Sequence, residues 1–171
     1  PIQVFPAITA SFTVNEAGCS PVEVVLVNQS SGASSYIWDM GDGITLVGDA
    51  PAYTYVNNTP FDITRTITLT ATSPYGCVST MTRQVNVYPV PSAAFMATPF
   101  TQQFPNASVT LTNNSAPGNW SHNWSLGDGG SSALQAPGSY TYGTWGTFTI
   151  TLVVSGTFCT DTATQDIVIT P

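Results

Sequence analysis

The feature that most constrains this 171-residue chain is that it repeats itself. Trp38-Asp39-Met40-Gly41-Asp42-Gly43 returns 86 residues later as Trp124-Ser125-Leu126-Gly127-Asp128-Gly129. Tyr53-Thr54-Tyr55 returns after 87 residues as Tyr140-Thr141-Tyr142, and Thr68-Leu69-Thr70 after 83 as Thr151-Leu152-Val153. Gly76-Cys77 is matched by Phe158-Cys159, and Val85-Asn86-Val87-Tyr88-Pro89 by Ile167-Val168-Ile169-Thr170-Pro171, both after 82. Landmarks in constant order with small drift mean one module used twice, with insertions confined to loops. The reading places the modules at residues 7–89 and 90–171, divided at Pro89-Val90-Pro91, where two prolines stiffen a short linker. A third, partial copy opens the chain. Ile2-Gln3-Val4-Phe5-Pro6 matches Val85 to Pro89 at 83 residues, and Phe12 matches Phe95 at the same spacing. Residues 1–6 therefore read as an extra strand, equivalent to the last strand of a module. Pro1 in place of an initiator Met reads as processing or as a piece of a longer chain.

The local pattern has period two. Thr66 to Thr72 and Thr147 to Leu152 alternate threonine with apolar residues, which places Ile67 and Leu69 inward and the threonines outward. Ser11 to Val14, Val22 to Val27 and Ser108 to Thr112 read likewise, and no amphipathic helix stands out. Gly, Pro, Asn and Ser clusters recur about every 8–12 residues, as in β-sandwiches. The expected fold is all-β: two tandem immunoglobulin-like sandwiches of six or seven short strands each. Within the repeated hexapeptide a strand carries Trp38 into the core. Gly41 and Gly43 permit positive φ, and Asp42 can fold back onto turn amides.

These landmarks together resemble the PKD (polycystin-type) domain: Asn-x-Ser, Trp-Asp-x-Gly-Asp-Gly, Tyr-x-Tyr, then Gly-x-Phe/Tyr-Thr before an alternating strand. The resemblance covers nearly the whole chain, twice. Met40 and Leu126 stand where an aromatic is usual, and Ser125 replaces the first Asp. Pro60-Phe61-Asp62 breaks the usual Gly that Gly146-Thr147-Phe148 keeps. The resemblance implies an extracellular, non-catalytic β-sandwich that acts as a spacer or adhesive module. It also implies a disulfide between Cys19, before the second strand, and Cys77, in the turn before the last strand. Closing that loop of about 59 residues would contribute roughly 4 kcal/mol in the chain-entropy model. Phe104 stands at the apparent counterpart of Cys19, so Cys159 reads as odd: a buried thiol, or a link to another chain.

Charge excludes whole classes of function. Charged residues make up 6% of the chain, lysine is absent, and Arg65 and Arg83 face nine carboxylates for a net charge of −7. Nucleic-acid binding needs a basic stripe, and none exists. Anionic lipid is disfavoured for the same reason, and no apolar run approaches the ~18 residues of a membrane span. One histidine, His122, offers no metal cluster and no second imidazole, so it reads as an ordinary strand residue. No pair of converging acids suggests glycosidase chemistry. The chain reads as no enzyme, with no cofactor. Asp39, Asp42 and Asp49 could reach a calcium ion, as in some PKD-like modules, but their spacing is not that of a dense calcium loop. Turn stabilisation is their commoner role.

Remaining candidates lie on the surface. Asn-x-Ser/Thr occurs at Asn28, Asn57, Asn106, Asn113, Asn119 and Asn123, and Asp161-Thr162-Ala163 resembles a short bacterial O-glycan acceptor. Trp120 and Trp145 sit beside turns and could stack on a sugar or a partner, whereas Trp38 and Trp124 are core. Isolated sandwiches usually guard edge strands with charge, above all lysine, and this chain has almost no such guards. Together with the strand-like Ile2, Val4 and Phe5, this leads to an expected role as a structural subunit of an extracellular filament or surface appendage. Copies would self-associate head-to-tail through β-augmentation. The alternatives are a stalk segment of a large surface adhesin, or a carbohydrate- or protein-binding accessory module of a secreted hydrolase.

Overall fold

The computed structural model describes residues 6–171. The proposed assembly residues Ile2, Val4 and Phe5 lie outside the described residues. The chain divides into two compact units with the boundary between Tyr88 and Pro89. Every regular element among the described residues is a strand, and no helix is long and apolar enough to cross a membrane.

The first module contains β1 (Phe12–Thr13), β2 (Ala17–Cys19), β3 (Val22–Val24), β4 (Val27–Asn28), β5 (Ser35–Asp39), β6 (Thr45–Val47), β7 (Tyr53–Tyr55), β8 (Ile63–Thr72) and β9 (Val78–Tyr88). One sheet has the order β2-β9-β8-β5-β6, and the facing layer consists of two short pairs, β1-β4 and β3-β7. The second module contains β10 (Phe95–Thr98), β11 (Thr101–Gln103), β12 (Ser108–Asn113), β13 (Ser121–Ser125), β14 (Ser131–Ser132), β15 (Gly138–Thr141), β16 (Gly146–Ser155) and β17 (Thr160–Thr170). Its sheets are β11-β17-β16-β13-β14 and β10-β12-β15. In each module the long antiparallel hairpin, β8-β9 or β16-β17, forms the spine, and the edge strand β2 or β11 joins it in parallel.

The alternating threonine strands behave as their period dictates. Ile67, Leu69 and Ala71 in β8, and Ile150, Leu152 and Val154 in β16, are fully buried. Both tryptophans of the repeated motif are fully buried as well. Phe12 meets Trp38 edge-on at 5.0 Å, and Phe95 meets Trp124 edge-on at 5.1 Å. Such T-shaped pairs match the ring quadrupoles and add roughly 1 kcal/mol beyond area burial. Each indole N–H donates to a carbonyl ten residues on, Gly48 or Leu134, so burial leaves no orphan donor. Met40 and Leu126 occupy one core position in the two copies. An aliphatic side chain fills the place where an aromatic was expected.

Candidate functional site

The repeated turn is held by side-chain and backbone hydrogen bonds in each module. Its glycines are required by space as well as by conformation. Gly41 and Gly127 have φ of 72° and 87°. A methyl group at Gly41 would collide with the Thr66 carbonyl, and one at Gly127 would approach the Thr149 backbone to 2.9 Å. The turn closes through Met40 N–H to the Ile44 carbonyl in one copy and Leu126 N–H to the Gly130 carbonyl in the other, both 2.9 Å.

The carboxylates of this turn are committed to the fold. Asp39 accepts from the Gly41 amide at 2.9 Å. Asp42 accepts from the Ile44 amide at 3.2 Å and from the Tyr53 hydroxyl at 2.6 Å. Asp128 does the same with the Gly130 amide and Tyr140. Asp49 accepts from the Asn28 side chain at 2.7 Å. Asp39, Asp42 and Asp49, the calcium candidates of the sequence, thus each hold a turn or a neighbouring side chain. Among the described residues no group of three or more ligating side chains could hold a metal ion.

The tyrosine pair locks the turn to the opposite layer. Tyr55 and Tyr142 donate to the Met40 and Leu126 carbonyls, and Tyr53 and Tyr140 hold the Asp carboxylates. Burial, then the hydrogen bond to Asp42, pushes the Tyr53 hydroxyl up to about 12. The bond to Asp128 raises Tyr140 first, with burial second. Burial raises Tyr55 and Tyr142 most of all. These phenols are structural donors held in the protonated form, and none is poised to act as a base near neutral pH.

The cysteines depart from expectation. Cys19 and Cys159 are disulfide-bonded, and Cys77 is a free thiol. The expected Cys19–Cys77 bridge is corrected, for a reason visible in strand register. Cys19 lies opposite Tyr88, at the far end of β9 from Val78, which follows Cys77. Ten residue steps of strand separate the two ends, about 33 Å at the usual rise, whereas a disulfide holds its Cα atoms within about 7 Å. The expected counterpart is also corrected. Ser20 N–H donates to the Tyr88 carbonyl, and Phe104 N–H donates equivalently to that of Thr170. Phe104 thus matches Ser20, and Gln103, paired with Thr170, matches Cys19.

The glycosylation candidates separate by burial. Asn57 is buried: its amide donates to the Phe61 and Val87 carbonyls and accepts from Thr59. It ties the loop before β8 to β9 and has no face for a glycan, so this candidate is corrected. Asn28 and Asn113 are repeat equivalents that serve their own turns. Each accepts from the amide two residues on, and they donate to Asp49 and to the Gln135 carbonyl, respectively. Asn106, Asn119, Asn123 and Thr162 are exposed.

Trp120 and Trp145 part company in the same way. Trp120 is half-buried, packs against the second core and donates to the Ala116 carbonyl at 3.2 Å. Gly118 and Gly156 leave room for its ring. Trp145 is 61% exposed. His122 is buried on the inward side of β13, two residues before Trp124. Among the described residues no buried side-chain nitrogen or oxygen lacks a hydrogen-bond partner.

Sequence reasoning missed the part played by Asn15. Its amide donates to the Glu23 carbonyl and accepts from the Val25 N–H, standing in for a strand where β3 ends. A lone polar residue between two short strands carries no periodic signal that would announce this.

Comparison with known proteins agrees with this geometry. A profile of the PKD domain family matches residues 86–171. The PKD1 domain of the Vibrio cholerae metalloprotease PrtV is 28% identical over 48% of this chain and 99% of its own, with a TM-score of 0.41. The PKD1 domain of Vibrio anguillarum Epp is also 28% identical, over 50% of this chain and 99% of its own, with a TM-score of 0.43. Extracellular domains 3–5 of Drosophila OTK share the fold at 10% identity and a TM-score of 0.51, over 95% of this chain and 62% of that one. A comparison with curated proteins returns no match. β-Sandwiches of this class are typically non-catalytic modules, and a disulfide marks an oxidising, extracellular setting. The profile spans half of the chain and the other half repeats it; this protein belongs to the PKD domain family, as an extracellular β-sandwich module.

Proposed function

We propose that the chain is a non-enzymatic structural subunit of an extracellular filament or surface appendage, assembled head-to-tail through β-strand contacts. One observation carries this reading: one sheet edge, β6, is short, uncharged and exposes an apolar side chain. The edge strand β6 is Thr45-Leu46-Val47, with Val47 74% exposed, beside Ile37 of β5, also exposed. An edge of this kind presents unpaired backbone groups that another strand can complete, and lysine is the usual guard against it. Ile2-Gln3-Val4, followed by Phe5, has the apolar, strand-like character of such a segment. A strand of one copy on an edge of the next is a heterologous contact, and repetition of that contact makes a fibre.

Negative-stain microscopy of the purified chain tests the proposal. Filaments are expected, and they should vanish when residues 1–6 are removed. Rigid monomers from the intact chain, or filaments from the truncated one, would reject it; monomers would favour a stalk segment. A ligand-binding role is favoured by one observation, the exposure of Trp145. Retention on insoluble polysaccharide that is lost in Trp145→Ala would support it.

A further inference from the structure

A concavity of about 420 Å³ opens on module one where β2 joins β9. That volume falls within the range of about 300–1,000 Å³ usual for ligand pockets. Its lining is Glu16, Thr66, Thr82, Arg83, Gln84 and Asn86, with no apolar side chain. Arg83 is one of the two cations of the chain. Among the described residues its side chain makes no hydrogen bond and no ion pair, not even with Glu16 of the same lining. The side chains of Glu16, Thr66, Thr82 and Gln84 have no hydrogen-bond partner among the described residues either. Asn86 is engaged, accepting from the Thr64 hydroxyl at 2.8 Å.

Module two uses the same positions otherwise. The Asn86 N–H donates to the Glu16 carbonyl and the Val168 N–H to that of Phe100, both at 2.9 Å, so Val168 and Phe100 stand where module one has Asn86 and Glu16. Strand register aligns Gln165 with Arg83, Asp166 with Gln84 and Thr149 with Thr66. Gln165 accepts from the Ala97 N–H at 3.0 Å and donates to the Ala97 carbonyl at 2.8 Å. Asp166 accepts from the Thr149 hydroxyl at 2.6 Å. The fold itself thus consumes these polar groups in module two, and apolar residues fill the other two places. A stable sandwich does not need the uncommitted donors and acceptors of module one, so they answer to something outside the fold.

We propose that this concavity binds a hexuronic acid residue of an acidic saccharide, with Arg83 holding its carboxylate. The planar fork of a guanidinium matches a carboxylate with two parallel N–H donors. The amides of Gln84 and Asn86 and the hydroxyls of Thr66 and Thr82 each carry both a donor and an acceptor, which is what neighbouring ring hydroxyls require. The Glu16 carboxylate only accepts; it takes a hydroxyl proton and repels a second acid group. A peptide would bring apolar side chains, for which this lining has no surface. The net charge of −7 repels an anionic ligand at long range. Physiological salt screens that repulsion beyond about 8 Å and leaves the contact itself. The site lies within one module and asks nothing of assembly, so it stands apart from the filament reading.

Isothermal titration calorimetry of the full chain with trimers of galacturonate and of glucuronate, in about 0.15 M salt, tests the proposal. Saturable binding of at least one trimer is expected. The corresponding neutral trimer, of galactose or glucose, should bind at least about tenfold more weakly, the loss expected when a charge-assisted hydrogen bond goes. Arg83→Gln copies the residue of module two, and it should weaken binding of the acidic trimer by the same factor. Arg83→Lys keeps the charge without the fork and should lose less. Amide chemical shifts should move at Thr82 to Asn86 when the trimer is added and stay fixed in module two. Absence of saturable binding by both acidic trimers would overturn the proposal, as would an unchanged affinity in Arg83→Gln. Acetate binding as tightly as the trimer would overturn the saccharide, and shifts centred on Trp145 would overturn the site. A calorimetric melt that retains the transition of module one shows that each variant is folded.

Discussion

The two modules share a plan and differ in how completely each executes it. In module two the three-stranded layer is continuous, β10-β12-β15. In module one the same layer is broken into β1-β4 and β3-β7, and Asn15 supplies the missing backbone partners at the break. The corresponding stretch of module two, Thr98-Pro99, has no such amide. A second difference lies at the start of the long hairpin. Phe148 stacks on Tyr142 at 4.4 Å, and Gly146, two residues earlier, lies under the Phe148 ring. Module one has Ile63 and Arg65 at these places, in register with Val87 and Val85 as Gly146 and Phe148 are with Ile169 and Ile167. Module one therefore lacks both the family glycine and the stacked aromatic.

Substitutions at equivalent positions would break this comparison most strongly in the core. Trp38→Ala and Trp124→Ala each empty a fully buried site and are expected to cost about 3–5 kcal/mol. Differential scanning calorimetry should show the loss of one module's transition in each variant and the survival of the other's. Next comes the stacked aromatic. Phe148→Ala is expected to cost about 3 kcal/mol by urea unfolding, whereas Arg65→Ala, half-exposed at the equivalent place, should cost less than about 1 kcal/mol. Equal losses would mean that the Tyr142–Phe148 stack has no special weight. Asn15→Ala should cost about 1 kcal/mol, because it leaves two backbone groups to water at the break in module one. Hydrogen exchange should then quicken at Val25 and nowhere in module two.

The smallest effect is confined to high pH. The tyrosine hydroxyls are raised above their usual value of 10 in the folded state, Tyr53 to about 12. Their contribution to stability is complete below pH 10, where folded and unfolded chains are both protonated. It is lost as pH rises toward 12, because the unfolded chain gives up its protons first. The melting temperature should fall over that window, and Tyr53→Phe should make the fall shallower while leaving the pH dependence near neutrality unchanged. An unaltered slope would reassign the alkaline loss to Tyr55, Tyr140 and Tyr142.

Much of the fold was legible in the residues. The repeat announced two modules, and alternating threonines announced half-buried strands. The spaced glycines of the Trp motif announced a turn that only glycine could make. These are local or periodic signals, written by steric rules that act within a few residues. The candidate sites were less legible, since their character depends on what lies opposite. Asn57 has the sequence of a glycan acceptor, and burial against the Val87 carbonyl disqualifies it. Asp42 has the chemistry of a cation ligand, and Tyr53 and a turn amide use its oxygens. Trp120 and Trp145 look alike beside their turns, and only packing separates the half-buried ring from the exposed one.

By itself the sequence determined the class of fold, the duplication and the inward side of each strand, because hydrophobic period and glycine geometry are properties of the chain before it folds. Tertiary structure alone decided which cysteines are bonded. Pairing depends on which ends of two antiparallel and parallel strands fall together: Cys19 of β2 lies opposite Tyr88 at one end of β9, and Cys77 precedes the other end. That separation is set by the register of hydrogen bonds between distant segments, which no count of residues between two cysteines contains.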